Sequence, residues 1–315
     1  MLAFCLALAA LGEEPLRVKG PPFIVFGERV ELRAESSVKD AAIAWRVADA
    51  PGGALTAFET KPALDPRTFV VRGSDRLELT SVGSREGEAL LTVSLERKGS
   101  RIATVEHRLR IGPALRVRAW CRVVENSRGG TRRPEVVRDA ESRASLQDEV
   151  NKLLRPIGIE VALEEGATVK APDGWFDEGG RFEPVQLKNG ERAKSQTLAE
   201  LFKRDAPGGL NVYFVRDCHW RTIEEGFVRV VTDHALVGIG MKDGQVVVDD
   251  AADAAVLAHE FGHAFSLDDL KEKNERERMM FSIRKERTGF LFTYQEMKDA
   301  RERARLHLKS QASRR

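Results

Sequence analysis

The sequence predicts two domains, an all-β immunoglobulin-like sandwich followed by an α/β domain with a mixed sheet. Two observations carry this prediction. Residues 20–112 consist of short alternating apolar and polar runs between turn residues, whereas residues 114–308 add helical stripes and buried strands. At 315 residues, the chain is long enough to bury a core in each domain.

Charge excludes two classes of partner. The chain has 51 Lys and Arg against 49 Asp and Glu, a formal net charge of +2. No global field therefore attracts it to nucleic acid or to an anionic membrane. We expect no nucleic-acid binding and no stable membrane insertion. Only residues 309–315 are distinctly basic, and they are predicted to form a frayed, solvated tail.

Residues 1–12 predict an export signal. "MLAFCLALAALG" is an apolar run too short to span a bilayer, and it ends in small residues that suit cleavage. Because no Lys or Arg precedes the run, a buried strand is the alternative. We expect an exported protein that is extracellular, periplasmic or at the cell surface. After cleavage Cys121 and Cys218 remain, and either a disulfide or two buried thiols fits the sequence.

The first domain is predicted from strands with period-two alternation. The runs are "RVELRAE", "AIAWRV", "RTFVVRG", "RLELTSV", "ALLTVSLER" and "TVEHRLRI". Short strands at this spacing are typical of an immunoglobulin-like sandwich. Trp45 is predicted to lie in the core, and His107 to be a surface or satisfied histidine rather than a ligand. This half of the sequence contains no catalytic constellation.

The second domain begins with a predicted βαβ unit. "ALRVRAWCRVV" and "IEVALEE" are strands, and residues 139–158 form a helix between them that is closed by Pro156 and Gly158. Such a unit makes two parallel strands. Residues 166–211 are predicted to be a long excursion containing a short helix, "SQTLAELFKR", before the buried strand "LNVYFVRD".

A hairpin precedes the most informative helix. "ALVGIGM" and "QVVVDD" flank Asp243-Gly244, and Asp-Gly favours a type I′ turn. We expect the strand with Gly238, Ile239 and Gly240 to be a sheet edge that pairs with an extended peptide through main-chain hydrogen bonds.

The stretch "AHEFGHAFSLDD" follows on a helix that Asp249, Asp250 and Asp253 are predicted to cap. His259 and His263 are one turn apart on one face, a spacing at which two imidazoles bind one Zn²⁺. Glu260 is rotated away from this face, so it is predicted to accept a proton from a water whose pKa the metal lowers toward about 7. Gly262 costs about 1 kcal/mol relative to Ala in a helix, which indicates close packing there.

The third ligand requires a bend. Asp269 lies six residues after His263, so its carboxylate reaches the metal only if the helix ends and the chain doubles back. Ser266 occupies the turn position. A non-glycine residue in the left-handed region costs roughly 1–2 kcal/mol.

"HEFGHAFSLDD" resembles the extended zinc signature of the metzincins, in particular the matrixins and snapalysin-like proteases. The resemblance is sharp over about ten residues and loose over the rest of residues 114–308. It implies a zinc-dependent endopeptidase that acts on protein or peptide substrates. The implied site comprises the zinc ligands His259, His263 and Asp269, the general base Glu260, and a methionine turn at Met280, with Met279 as the second choice.

Departures from the signature keep alternatives open. Ser266 replaces the usual glycine and Asp269 the usual histidine. In a gluzincin-type site the helix would continue and Glu286 would be the third ligand. A metzincin-like binding or adhesion protein without turnover is the other alternative. Cys218, His219 and His234 are predicted to be loop or surface residues, not a second metal site.

Overall fold

The computed structural model describes residues 14–48, 58–61, 71–72, 75–81, 86–126, 139–171, 175–176, 181–188, 191–192, 209–215, 218–224, 230–235, 238–249, 252–282 and 286–312. These residues form a sheet-rich fold with three α-helices, divided into two compact units. The first unit comprises the described residues up to Ala114 together with Arg155–Gly158 and Leu291–Lys298. The second comprises the remainder.

The first unit contains two sheets. Its strands are β1 (Leu16–Lys19), β2 (Phe23–Val25), β3 (Arg29–Ser36), β4 (Ala42–Ala48), β5 (Phe58–Lys61), β6 (Val71–Arg72), β7 (Arg76–Ser81), β8 (Gly87–Arg97) and β9 (Ser100–Gly112). One sheet has the order β1-β3-β7-β5 and the other the order β2-β9-β8-β4-β6. The predicted alternating runs lie on these strands where they are described, while residues 67–70 and 73 of "RTFVVRG" fall outside the described residues.

Both sheets of the first unit contribute to one buried core. Alternate residues of β7 point inward, as Leu77 and Leu79 do. Trp45 is fully buried in this core, as predicted. The Nε2 atom of His107 lies 3.3 Å from the Pro21 carbonyl oxygen, so this histidine has a partner within the fold.

The second unit holds ten strands among its described residues. They are β10 (Leu115–Asn126), β11 (Ile159–Glu165), β12 (Val169–Ala171), β13 (Phe182–Lys188), β14 (Glu191–Arg192), β15 (Leu210–Val215), β16 (Cys218–Glu224), β17 (Val230–Ala235), β18 (Gly238–Gly240) and β19 (Gln245–Asp249). The α-helices of the chain are α1 (Ala140–Leu154), α2 (Ala254–Ala264) and α3 (Tyr294–Ala312).

The larger sheet of the second unit has the order β11-β10-β15-β19-β18, with β12 also paired to β10. β10, β11, β15 and β19 are parallel, and β18 is antiparallel to β19. The predicted βαβ unit is confirmed, because α1 connects the parallel strands β10 and β11. Leu146, Val150 and Leu154 form the buried stripe of α1. Gly158 closes the connection with φ 65°.

A smaller sheet was not predicted. β14, β13, β16 and β17 pair in that order, so the excursion over residues 166–211 contains strands. His219 and His234 lie on β16 and β17 rather than in loops. The predicted helix at residues 195–204 falls outside the described residues.

The hairpin between β18 and β19 differs from the prediction in two respects. "ALVGIGM" is not one strand, because β17 ends at Ala235 and β18 begins at Gly238. The turn is not type I′, because Gly244 has φ +94° while Asp243 is absent from the described residues with positive φ. Instead the Gly244 amide donates to the Met241 carbonyl and the Met241 amide to the Gln245 carbonyl. This pattern defines a three-residue loop that ends in a glycine.

Two predictions concern the ends of the chain, an export signal and a frayed basic tail. The proposed export signal, residues 1–12, lies outside the described residues. α3 continues to Ala312, so the tail from Lys309 to Ala312 is helical rather than frayed. Among the described residues, no helix is both long and apolar enough to cross a bilayer. Cys121 and Cys218 are buried and form no disulfide.

Candidate metal centre

Helix α2 carries the two histidines and has a defined beginning. The side chain of Asp253 accepts a hydrogen bond from the Val256 amide at 2.9 Å. This N-cap satisfies one of the free amides of the first turn. Of the other acids expected to cap the helix, Asp249 instead accepts from the Cys218 amide at 2.6 Å.

The helix ends at Ala264, directly after His263. Ser266 has φ 69° and lies in the left-handed region. Its amide donates to the His263 carbonyl at 2.8 Å, and the Leu267 amide donates to the Gly262 carbonyl at 2.9 Å. These two hydrogen bonds make a Schellman motif with serine in place of glycine. The bend that the sequence requires is therefore present.

The bend brings Asp269 to the two histidines. Asp269 Oδ1 lies 3.3 Å from His259 Nε2 and 3.6 Å from His263 Nε2. The three potential ligand atoms lie within 4.8 Å of one another, the one such group among the described residues. The hydrogen bonds from both histidines hold the pKa of Asp269 well below its usual value. Burial lowers the pKa of His263, but the hydrogen bond to Asp269 and the charge of Glu260 outweigh burial and raise it.

Backbone carbonyls orient both imidazoles. His263 Nδ1 lies 2.9 Å from the Leu267 oxygen, and His259 Nδ1 lies 3.0 Å from the Met279 oxygen. A carbonyl only accepts, so each Nδ1 carries a proton, and Nε2 is the atom that donates to Asp269 or, once its proton is released, offers a lone pair. This tautomer is the one that binds a metal through Nε2.

Arg287 lies behind His259. Its Nε and Nη2 atoms donate to the Phe281 carbonyl at 3.2 and 2.8 Å. Nη2 is also 3.0 Å from His259 Nδ1. Since Arg only donates, the contact with His259 would be a hydrogen bond only in the tautomer that lacks a proton on Nδ1.

Glu260 is a buried carboxylic acid beside the ligand cluster. It is 6% exposed, and Oε2 has no hydrogen-bond partner among the described residues. Burial raises its pKa, although the charges of His259 and His263 and the Gly240 amide oppose this shift. A buried carboxyl oxygen without a partner costs free energy, and such atoms in a native fold call for an explanation, of which a functional role is one.

The edge strand β18 crosses the helix at Glu260. A Cβ atom on Gly238 would lie 2.6 Å from Glu260 Cγ, and one on Gly240 would lie 2.2 Å from the Glu260 carbonyl oxygen. Only glycine fits at these two positions. β18 ends the order of the larger sheet among the described residues, so it is the edge next to the cluster, as predicted for Gly238, Ile239 and Gly240.

The methionine segment packs beneath the helix. A Cβ atom on Gly262 would lie 2.3 Å from Met280 Sδ, so the close packing predicted at Gly262 is explained by Met280. The Leu270 amide donates to the Met280 carbonyl at 2.8 Å, and the Ser282 amide donates to the Leu270 carbonyl at 3.0 Å. These bonds fix the chain immediately after Asp269.

Other acids lie outside the cluster. Glu286 pairs with Arg276, and α2 ends at Ala264, so the described residues do not favour the gluzincin-type arrangement, which needs a continued helix. Asp268 is exposed and forms an ion pair with Lys242 at 3.0 Å.

Sequence reasoning missed several residues that shape the site. Arg287 and His307 approach it from distant positions that no motif marks. The Leu267 and Met279 carbonyls act through the backbone, which leaves no signal in residue type. The spacing of Gly238 and Gly240 is a signal for close approach, since two glycines on one face of a strand leave room for a neighbouring backbone.

Comparisons with known proteins give no family for this chain. No protein-family model matches it, and no curated protein matches its sequence.

Three solved structures are similar to a part of it. A conjugative transposon lipoprotein from Bacteroides eggerthii is 15% identical with a TM-score of 0.21, over 31% of this chain and 98% of its own. The human F-spondin reeler domain is 9% identical with a TM-score of 0.23, over 30% and 89%. The periplasmic chaperone SfaE is 13% identical with a TM-score of 0.23, over 33% and 65%. Similarities this low carry no conclusion about fold or function.

Proposed function

We propose that the chain is an exported zinc-dependent endopeptidase whose second unit is a metzincin-like catalytic domain. One observation carries the proposal: the Nε2 atoms of His259 and His263 and the carboxylate of Asp269 converge beside the buried carboxyl of Glu260. Two imidazoles and one carboxylate are a three-ligand set that leaves one position open, as catalytic zinc sites do.

The residues fit zinc in their chemistry. Both Nδ1 atoms have carbonyl partners, so both Nε2 lone pairs are available together. Imidazole suits zinc, whereas magnesium and calcium prefer oxygen ligands throughout. A structural zinc site takes four protein ligands, and the described residues supply three.

Glu260 is the proposed general base. When bound, a zinc ion supplies a Lewis acid that lowers the pKa of water and polarises a carbonyl. Burial raises the pKa of Glu260, which brings its proton affinity nearer to that needed at neutral pH. Glu260 takes a proton from the attacking water and later delivers it to the leaving amine.

The substrate is proposed to be an extended peptide on β18. This strand is a sheet edge next to Glu260, and an edge strand offers main-chain donors and acceptors to a further strand. Register along β18 would place a scissile carbonyl near Glu260. Met280, packed against Gly262, is the proposed methionine turn.

Two further parts of the proposal rest on sequence pattern. The first unit, with two sheets around one core, is proposed to be immunoglobulin-like. Export is proposed from the apolar run at residues 1–12.

The decisive experiment compares Glu260→Ala with the unchanged protein in zinc content and in cleavage of casein or a quenched peptide. We expect one zinc per chain in both proteins and peptidase activity lost in the variant by more than about a hundredfold, the scale of general-base removal. Glu286→Gln is the matched control, because it removes another acid close in sequence that pairs outside the cluster.

Either of two results contradicts the proposal. Full peptidase activity of Glu260→Ala would show that Glu260 is not the general base. Tight zinc binding with no peptidase activity in the unchanged protein supports the binding or adhesion alternative.

A further inference from the structure

His307 on α3 lies outside the ligand cluster yet contacts two segments that build it. It is 6% exposed. Its Nε2 atom lies 3.2 Å from the carbonyl oxygen of Ala264, the residue after His263. The other edge of its ring faces Gly244, in the turn that joins β18 to β19. Its ring also lies edge-on to Phe265, with centroids 6.2 Å apart.

The contact with Ala264 completes the end of α2. The Schellman bonds use the carbonyls of Gly262 and His263, and the chain then leaves the helix, so the Ala264 carbonyl has no amide of a following turn to accept from. His307 supplies the donor. Burial lowers its pKa, although the bond to Ala264 opposes the shift, so the neutral ring donates through Nε2.

The contact with Gly244 fixes the edge hairpin. A Cβ atom on Gly244 would lie 2.8 Å from His307 Cε1. Gly244 also has φ +94°, so the turn closes directly on the imidazole ring. The strand held by this turn is β18, whose glycines lie against Glu260.

A second connection runs beside the first. Arg303, one turn before His307, donates to the Lys242 carbonyl in the same hairpin turn. The Lys242 ammonium pairs with Asp268 at 3.0 Å, next to Asp269. α3 therefore holds the hairpin and the ligand bend through neighbouring side chains.

We propose that His307 is a positioning residue that holds the bend after His263 and the edge strand beside Glu260 in one arrangement. The inference rests on the proposed function, because it gives the bend a role in zinc affinity. His307 touches neither metal nor substrate. It acts through the Ala264 peptide and the Gly244 turn.

The test compares zinc dissociation constants, measured by competition with a chromophoric chelator, in the full chain and three variants. His307→Leu removes the donor, His307→Gln restores a side-chain N–H, and His107→Leu is the control. His107 is also partly buried with a carbonyl partner, Pro21, at 3.3 Å, but it belongs to the other unit. Hydrogen exchange of the Ser266 and Leu267 amides in the metal-free variants is the second readout.

We expect His307→Leu to weaken zinc binding about tenfold, the lower end for outer-shell partners, and to speed exchange of both amides. We expect His307→Gln to recover most of the affinity, and His107→Leu to bind zinc as the unchanged protein does despite a lower stability. The visible spectrum of the cobalt-substituted His307→Leu protein should shift, because the geometry around the ion changes.

Several outcomes would overturn the inference. Equal zinc affinity in His307→Leu and the unchanged protein shows that His307 serves stability alone, and the proposed function stands. An equal loss in His107→Leu assigns the effect to general destabilisation. If His307→Leu does not fold, His307→Gln decides the question. Unchanged amide exchange and zinc affinity in His307→Gln would support the role of the side-chain N–H, and a loss of either would count against it. An unchanged protein that binds no zinc refutes both this inference and the proposed function.

Discussion

Asp269 joins the cluster of His259 and His263 from a position that only the bend makes possible. Its side chain is 41% exposed, so solvent reaches this side of the cluster while His259 and Glu260 are buried. Under the proposed function, a substrate carbonyl would approach from this open side. The proposal therefore assigns the buried carboxyl as base and the accessible one as ligand.

Replacing Asp269 tests its role as third ligand. We expect Asp269→Ala to lower zinc affinity by at least about a hundredfold, since it removes both a ligand and the hydrogen-bond acceptor of two imidazoles. Zinc content after dialysis against a weak chelator measures the change. Asp268→Ala is the control, because that carboxylate is 81% exposed and forms an ion pair with Lys242. Equal zinc retention by the two variants would show that Asp269 is not a ligand.

The residues of the cluster could be predicted from the sequence, whereas the residues that hold them in place could not. His259, Glu260 and His263 are fixed by helix periodicity, which is a local property. Arg287 and His307 reach the cluster through tertiary packing from 28 residues beyond His259 and 43 residues beyond Ala264. No local rule links those positions.

At the scale of elements, α2 ends in a conformation that its sequence does not favour. Ser266 has φ 69°, a conformation in which a side chain costs roughly 1–2 kcal/mol. The two Schellman hydrogen bonds and burial of Leu267, which is 3% exposed, offset this cost.

We expect Ser266→Gly to stabilise the metal-free protein by about 1 kcal/mol, because glycine adopts the left-handed region without strain. Chemical denaturation monitored by circular dichroism measures the gain. A loss of stability would mean that the serine side chain makes a compensating interaction.

Gly262 predicts the opposite response to a similar change. Replacing glycine by alanine inside a helix usually gains about 1 kcal/mol, but a Cβ atom here would lie 2.3 Å from Met280 Sδ. We therefore expect Gly262→Ala to lower both the midpoint of thermal unfolding and zinc affinity, since Met280 must move and Met279 next to it holds His259. An increase in the midpoint would show that the methionine adapts without cost.

Prediction of elements succeeded where a local pattern decided the outcome. The last helix is such a case. Thr293 followed three residues later by Glu296 predicts a capping box at its start, and these two residues exchange hydrogen bonds between side chain and amide at 2.7 and 3.2 Å. The turn at Gly244 was misjudged because Asp-Gly also fits a three-residue loop that ends in a glycine with positive φ. The sheet of β13, β14, β16 and β17 was missed because its pairings join distant segments.

At the scale of the whole molecule, buried histidines link folding to pH. Burial lowers the pKa of His107 in the first unit and of His307 in the second. An unfolded histidine has a pKa near 6.5, so the unfolded chain takes up protons first as pH falls. The stability these residues contribute is present above about pH 6.5 and is lost as pH falls toward their folded pKa values.

His107→Gln isolates this effect in the first unit. We expect the difference in unfolding free energy between the unchanged protein and the variant to shrink between pH 7.5 and pH 5, measured without metal by denaturant titration. A difference that is constant over this range would show that His107 is protonated equally in both states.

The division into two units could be predicted from the sequence, because the hydrophobic periodicity changes from alternating strands to helical stripes. The inclusion of Arg155–Gly158 and Leu291–Lys298 in the first unit could not be predicted, because it depends on where the chain returns in space. The sequence of such a short segment does not show which of the two units it belongs to.

The burial of two unbridged cysteines in the second unit has a practical consequence. Cys121 and Cys218 are each 4% exposed and unbridged, so the described fold does not need an oxidant to form and tolerates reducing conditions. A thiol-specific dye can reach them only when the surrounding strands open. With Cys5 replaced by serine, the rate at which the dye labels the protein would measure how fast the sheet beside the candidate site opens.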